Sequence, residues 1–214
     1  LQVNRIALNI QILELSLISR SIVVYDNTNL AIYRIPSSPG KEPPGLIYVV
    51  IEIPMGSSIK YEINSNNETL YADRILPTSV VYPCNYGFIP NTIENNSNDP
   101  VDVFVIEDEP LFPFSVISAR PLGVILTEDQ DGVDNKIIAV PDNRVDPEWI
   151  NISTISDIPL QFRTRLEYFI THHKDMEEGK FVRLAGWGGK NLAANMILKS
   201  IQRYQKNLKR KSSP

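Results

Sequence analysis

"FSVISARPLGVILTED", residues 114–129, is the stretch on which the fold turns. It is dense in valine, isoleucine and leucine, and β-branched side chains suit a pleated surface better than a helix. Its neighbours have the same character. "VDVFVIED" (101–108) precedes it and "KIIAVP" (136–141) follows it. Further upstream, "LIYVVIEI" (46–53) and "IKYEI" (59–63) are rich in β-branched and aromatic residues, and "NSNNET" between "KYEI" and "LYADRIL" reads as a hairpin turn. Five or more short strands joined by turns predict a small barrel or curled sheet. Helix enters only afterwards. "DIPLQFRTRLEYFITHHKDME" (157–177) offers Asp157 as an N-cap with Pro159 two positions on, and places Leu160, Phe162, Leu166, Phe169 and Ile170 near one face. "GGKNLAANMILKSIQRYQKNLKR" (188–210) predicts a second helix after a Gly-Gly start. The fold class expected is therefore α+β.

The 214 residues, 43% of them hydrophobic, suit one domain with appended segments. Residues 1–35 form an extension in which "RIALNIQILELSLIS" alternates roughly, as a strand does. This segment is poor in acids and carries Arg5 and Arg20, a faint likeness to an organellar targeting region; packing on the domain or on a partner is the favoured expectation. The chain begins at Leu1 and not at a methionine, which implies a processed or a partial chain. "IPSSPGKEPPG" (35–45) reads as a linker, so the main domain is placed at 36–198. Residues 199–214 carry six basic residues and no acid, a helix end or solvated tail. Without them the body holds 15 basic and 25 acidic residues, a net of −10. An acidic body argues against nucleic acid as the partner and in favour of cations. No stretch approaches the ~20 apolar residues that span a bilayer. The single cysteine, Cys84, excludes an intrachain disulfide and suits a reducing compartment; packing is its simplest role.

Acids gather at the predicted strand ends and turns: Glu52, Glu62, Asp73, Asp99, Asp102, Asp129, Asp131 and Asp134. Lys60, Arg74, Arg120 and Lys136 are interleaved with them. Carboxylates are the ligands that a hard cation such as Mg²⁺ takes, and lysine and arginine balance phosphate. On composition alone, solvated strand ends are the favoured explanation of these acids. Lys60 and Glu62 share one side of a strand, where they form an ion pair or line one cavity.

The blocks "VVIEIPMGSSIKYEI", "YADRILPTSVVYPCNYGFIPNT", "DPVDVFV", "ARPLGVI", "DNKIIAVP" and "HHKDMEEGKFVRLAGW" follow one another in an order and spacing that resembles the soluble family I inorganic pyrophosphatases of bacterial type, over roughly residues 36–198. The resemblance implies a five-stranded OB-like β-barrel flanked by two main helices. It also implies hydrolysis of inorganic pyrophosphate to two phosphates with several Mg²⁺ ions, and a homo-oligomer, in the bacterial forms a hexamer. Carried over position by position, Glu52, Asp102, Asp129 and Asp134 would serve the metals, and Asp99 would orient and deprotonate the attacking water beside Tyr86. Lys60, Arg74, Lys136 and Lys174 would hold phosphate, Glu62 a metal-bound water, and Tyr82 the wall of the site. Two positions depart from the family pattern. Ser97 stands where an acid precedes "NDPVD", and a hydroxyl is a poorer ligand for a hard cation, so weakened metal binding is expected. His173 stands where a phosphate-binding tyrosine precedes the lysine; it can still donate a hydrogen bond, with a new pH dependence. These departures give the alternative expectation, a catalytically impaired member retained as a structural or assembly subunit of a larger complex. The compartment expected is the cytoplasm, with the mitochondrial or another organellar matrix as the alternative.

Overall fold

The computed structural model describes residues 22–25, 30–33, 35–64, 69–95 and 97–212. The strand expected in "RIALNIQILELSLIS" lies outside the described residues. Two short strands, β1 (Ile22–Tyr25) and β2 (Leu30–Tyr33), pair antiparallel near the end of the extension. Then come β3 (Ile47–Ile53), β4 (Ile59–Ile63), β5 (Leu70–Ile75), β6 (Asn85–Ile89), β7 (Val101–Val105), β8 (Val116–Asp129), β9 (Gly132–Val133) and β10 (Lys136–Pro141). Helix α1 (Leu160–His172), β11 (Val182–Gly189) and helix α2 (Lys190–Ser212) complete the order.

The predicted barrel is present as a closed ring of five strands. β10 pairs with β7, β7 with β6, β6 with β3, β3 with β8, and β8 returns to β10. Closure depends on β8, whose 14 residues are long enough to serve β3, β10 and β11 in turn, with β9 at its end. Val116–Ala119 pair with β3, Ala119–Ile125 with β10, and Gly123–Asp129 with β11. Pro121 in mid-strand lacks an amide donor, and the register against β10 shifts at this level, between Ile138 and Ala139. β4 and β5 form a separate hairpin, as the "NSNNET" turn implied.

Strand alternation divides the interior in two. Ile47, Val49 and Ile51 of β3, Val101, Val103 and Val105 of β7, and Ile137 and Ala139 of β10 turn to a core shared by all five ring strands and joined by Ala193 and Ile197 of α2. The intervening residues Phe104, Ile138 and Val140 turn to a second core with Leu166, Phe169 and Ile170 of α1. The parity that sends Phe104 and Ile138 to the second core also sends Asp102 and Lys136 to its rim. Gly87 of β6 sits so close to β3 that a Cβ there would lie 1.9 Å from the Val50 carbonyl oxygen, so no larger residue fits between these strands.

Three local expectations need correction. Asp157 does not cap α1. Its carboxylate accepts hydrogen bonds from the amides of Ser153 and Thr154 and from the Thr154 hydroxyl, closing a 3₁₀ turn at Ile155–Asp157. The Pro159 carbonyl instead receives the first helical amides, from Phe162 and Arg163. Leu160 is 69% exposed and not part of the apolar face, although Phe162 of the same turn packs against the second core. The "IPSSPGKEPPG" segment is packed, not free. The Tyr48 amide donates to the Pro39 carbonyl at 2.9 Å, and buried Gly40 lies against Leu46 and Ile47. The basic residues from Lys199 onward stand on α2, which continues unbroken to Ser212. No helix among the described residues is long and apolar enough to cross a membrane.

Candidate active site

One cavity of about 420 Å³ opens beside the second core. Its aromatic floor is built from β6, β7 and α1. Tyr82 lies 4.6 Å from Phe169 and 5.6 Å from Tyr86, and Tyr86 meets Phe104 edge-on at 4.9 Å between ring centroids. Burial, followed by the charge of Asp102, holds both tyrosine hydroxyls protonated, with pKa values well above the usual phenol range.

The charged wall follows from strand pairing. Parallel pairing of β10 with β7, with Ile137 opposite Val103, sets Lys136 beside Asp102. The Lys136 ammonium donates to both Asp102 and Asp134. Asp134 is fixed by its amide, which donates to the Thr127 carbonyl at 2.9 Å, while the Thr127 hydroxyl donates to the Asp134 carbonyl. Burial disfavours the charge on Lys136, yet Asp102, Asp134 and Glu94 outweigh it and raise its pKa above the ordinary lysine value. At the β8–β9 turn the Asp131 amide donates to Asp129, and Lys174, just past α1, donates to the other oxygen of Asp129 at 2.8 Å. Burial alone would raise the Asp129 pKa, but these partners hold it below the usual carboxylate value.

The β4–β5 hairpin brings two more cations, with Lys60 opposite Arg74. Lys60 pairs with Glu62, and Asp73 lies 3.7 Å away. Arg74 Nε stands 3.2 Å from Glu177 Oε1, close enough for charge attraction but misaligned for a hydrogen bond. Asp99 differs from all of these. Its amide receives support from the Ser97 hydroxyl at 3.1 Å and its carbonyl accepts from the Glu94 amide at 2.9 Å. Among the described residues its exposed carboxylate has no ion-pair partner.

The cavity thus gathers Lys60, Arg74, Tyr82, Tyr86, Asp99 and Asp102, together with Asp129, Asp134, Lys136, His173 and Lys174. Glu52 and Glu62 stand behind it. Glu52 accepts from the Ile63 amide at 2.9 Å, and burial pushes its pKa up to about 8. Glu62 is held by Lys60 and by the Tyr71 hydroxyl. Arg120, one of the interleaved bases, serves the fold instead: its guanidinium donates to the carbonyls of Pro141, Trp149 and Ile152. Sequence reasoning missed Glu94, Gln130 and Lys180, which also line the cavity. Glu94 sits in a polar loop with no hydrophobic pattern to give it a direction. Cys84 is fully buried, and its thiol is pushed far above the usual range, so it is inert.

A family model described as inorganic pyrophosphatase matches residues 49–205, which span every one of these side chains. The chain belongs to the inorganic pyrophosphatase family. Among curated inorganic pyrophosphatases it is similar to that of Aquifex pyrophilus, 46% identical over 168 residues that cover 78% of this chain and 94% of the relative. The inorganic pyrophosphatase of Saccharolobus solfataricus is 47% identical over 165 residues, 77% of this chain and 95% of that one. Among solved structures, the inorganic pyrophosphatase of Helicobacter pylori superposes with a TM-score of 0.76 at 35% identity, covering 79% of this chain and 99% of that chain.

Proposed function

We propose that the cavity hydrolyses inorganic pyrophosphate to two phosphates with Mg²⁺ ions as cofactor, and that the chain is an inorganic diphosphatase. The observation that carries this is the meeting of Asp99, Asp102, Asp129 and Asp134 with Lys60, Arg74, Lys136 and Lys174 around one cavity. Phosphoryl transfer asks a protein mainly for positioning and for charges that stabilise the transferring group, and this lining offers both.

The donor set fits a hard divalent cation. It is carboxylate oxygen throughout, and Asp102 and Asp134 must share the single ammonium of Lys136. Mg²⁺ takes such oxygens, keeps several waters and is completed by substrate phosphate oxygens. Asp102, Asp129 and Asp134, with Glu52 behind them, would hold the ions, which when bound lower the pKa of water and neutralise phosphate charge. Lys60, Arg74, Lys136 and Lys174 bind the phosphate oxygens; Lys136 and Lys174 exchange their present carboxylate partners for phosphate. Asp99 takes the proton from the attacking water, and Tyr86 closes the apolar side.

Ser97 gives the cation side a neutral oxygen in place of a charge, and its hydroxyl already supports the Asp99 amide. Weaker cation binding at this limb is the expected consequence. A phosphate-release assay across a Mg²⁺ series tests the function. Turnover that rises with Mg²⁺ is expected; none at saturating Mg²⁺ would favour the assembly-subunit reading. An oligomer of this chain is proposed as well, with Phe112, Leu160 and Met176 among the apolar side chains that it could cover. The cytoplasm is the proposed compartment.

His173 adds a pH dependence. Its Nδ1 lies 2.9 Å from the Ile170 carbonyl and 3.2 Å from that of Phe169, both acceptors, so Nδ1 carries the proton. In the neutral ring Nε2 is then a lone pair, unable to donate to phosphate. Burial, then the nearby Lys174 and Arg74, hold the pKa below 6.5 despite these carbonyls. Protonation below that value supplies a charged donor, so KM for pyrophosphate is expected to improve on the order of tenfold in wild type as pH falls through it. In His173→Tyr this component should vanish; identical KM profiles would refute it. The sign for stability is opposite: the depressed pKa makes the folded state resist protonation, so stability falls as pH drops below 6.5 toward the folded pKa.

A further inference from the structure

Glu177 stands behind the cavity wall, yet each oxygen of its carboxylate meets a cation that lines the cavity. Oε1 lies 3.2 Å from Arg74 Nε, and Oε2 accepts from the Lys180 ammonium at 2.6 Å. The two cations come from separate parts of the chain. Arg74 stands on β5, opposite Lys60 in the β4–β5 hairpin, and Lys180 follows the turn after α1. The backbone of Glu177 belongs to that turn. Its amide donates to the Lys174 carbonyl at 2.9 Å, and its carbonyl accepts from the Lys180 amide at 3.1 Å. The Glu177 side chain is only 13% exposed. Burial alone would raise its pKa, but Lys180 and Arg74 hold it below the usual carboxylate value, so it stays ionised. Arg74 has a second carboxylate near it: Nη1 lies 3.5 Å from Asp73, the preceding residue of β5.

We propose that Glu177 is a positioning residue for pyrophosphate: clamped by Lys180, it holds the Nε side of Arg74 from behind and leaves the rest of the guanidinium for a substrate phosphate. This rests on the reading of Arg74 as a phosphate-binding residue given above. A long arginine loses rotamer freedom when phosphate arrives, and a carboxylate that already holds it removes part of that cost. Glu177 also latches the β4–β5 hairpin to the turn after α1, so Arg74 and Lys174 face one substrate from a fixed separation. Without Glu177, Asp73 is left to draw the guanidinium. Consecutive strand residues point to opposite faces, so that pull is away from the cavity.

The test combines steady-state kinetics of the full chain at saturating Mg²⁺ with calorimetric binding of methylenediphosphonate, an analogue whose bridge does not hydrolyse. Glu177→Gln is expected to raise KM for pyrophosphate and Kd for the analogue about 3- to 10-fold each, with kcat within about threefold. Positioning and charge predict opposite signs here, because removing a negative charge beside the cavity would by itself tighten an anion. Glu177→Asp keeps the charge but draws it back by one methylene, and should give a similar rise. In an Arg74→Ala background, Glu177→Gln should change KM by less than about twofold, because the two residues act as one unit. Unchanged or lower KM and Kd in Glu177→Gln, wild-type values in Glu177→Asp, or an undiminished rise in the Arg74→Ala background would each overturn the inference alone. A Glu177→Gln chain that fails to fold would mark the residue as structural and overturn it as well. Wild-type protein that neither binds the analogue nor hydrolyses pyrophosphate would overturn both the inference and the reading beneath it.

Discussion

Replacing Asp99 by asparagine is expected to lower kcat for pyrophosphate hydrolysis roughly a thousandfold, within the range that a positioned general base contributes. The fold should not notice. The backbone of Asp99 is held on both sides, by the Ser97 hydroxyl and the Glu94 amide, while its carboxylate is exposed and pairs with no cation among the described residues. A side chain that contributes nothing to packing or to an ion pair can be changed at a cost within about 0.5 kcal/mol. For a chain of this length that is a shift of about 2 °C or less in melting temperature. KM should change little, because the cations proposed to bind phosphate are untouched. A kcat within tenfold of wild type would remove Asp99 from the role of base and return the acid loop to solvated surface.

Lys136→Met is expected to act on both stability and turnover. The Lys136 side chain is only 14% exposed, and its ammonium joins Asp102 and Asp134, whose side chains are 24% and 30% exposed. Its loss leaves two carboxylates facing each other, with Glu94 nearby. Stranding fully buried charges costs about 3–5 kcal/mol; partial solvation of both aspartates reduces this to about 2 kcal/mol. The metal-free melting temperature should fall by about 4–8 °C. Saturating Mg²⁺ should restore much of it, because a bound cation replaces the missing positive charge and stabilises the folded state by mass action. kcat should drop about 10²- to 10³-fold, the usual loss when one charge-stabilising group is removed. Calorimetry with EDTA and with Mg²⁺ separates the two effects. A metal-free melting temperature equal to wild type would mean that Lys136 does not neutralise this pair.

Lys136 also illustrates why so much was legible in the sequence. "VDVFV" and "KIIAVP" are strands by composition, and alternation then places Asp102 with Phe104 and Lys136 with Ile138 on the same faces. The ring strands β3, β7, β8 and β10 were readable in this way, as were both helices to within a few residues. β6 and β11 were not read as strands. "NYGFI" is buried at every position and shows no alternation, and "VRLAGWGG" is too rich in glycine to carry a β signal. β11 exists because the second half of β8 has a free edge to offer, and Gly123, with no Cβ, lets the Gly188 carbonyl approach closely. Asp157 misled for a related reason: an acid before a helix suits an N-cap, but its carboxylate turned back to nearer amides at 153 and 154.

By itself the sequence determined most of the ring strands and both helices, the acidic character of the body and the residue types of the site. Local composition and period set these, and they need no knowledge of distant partners. Only the tertiary structure decided which charges meet. Parallel register put Lys136 between Asp102 and Asp134, the end of α1 carried Lys174 to Asp129 across 45 positions of sequence, and α2 tied down the backbone of Ile93 beside the acid loop. Charge pairing acts over a few ångströms through space, and spacing along the chain does not encode it.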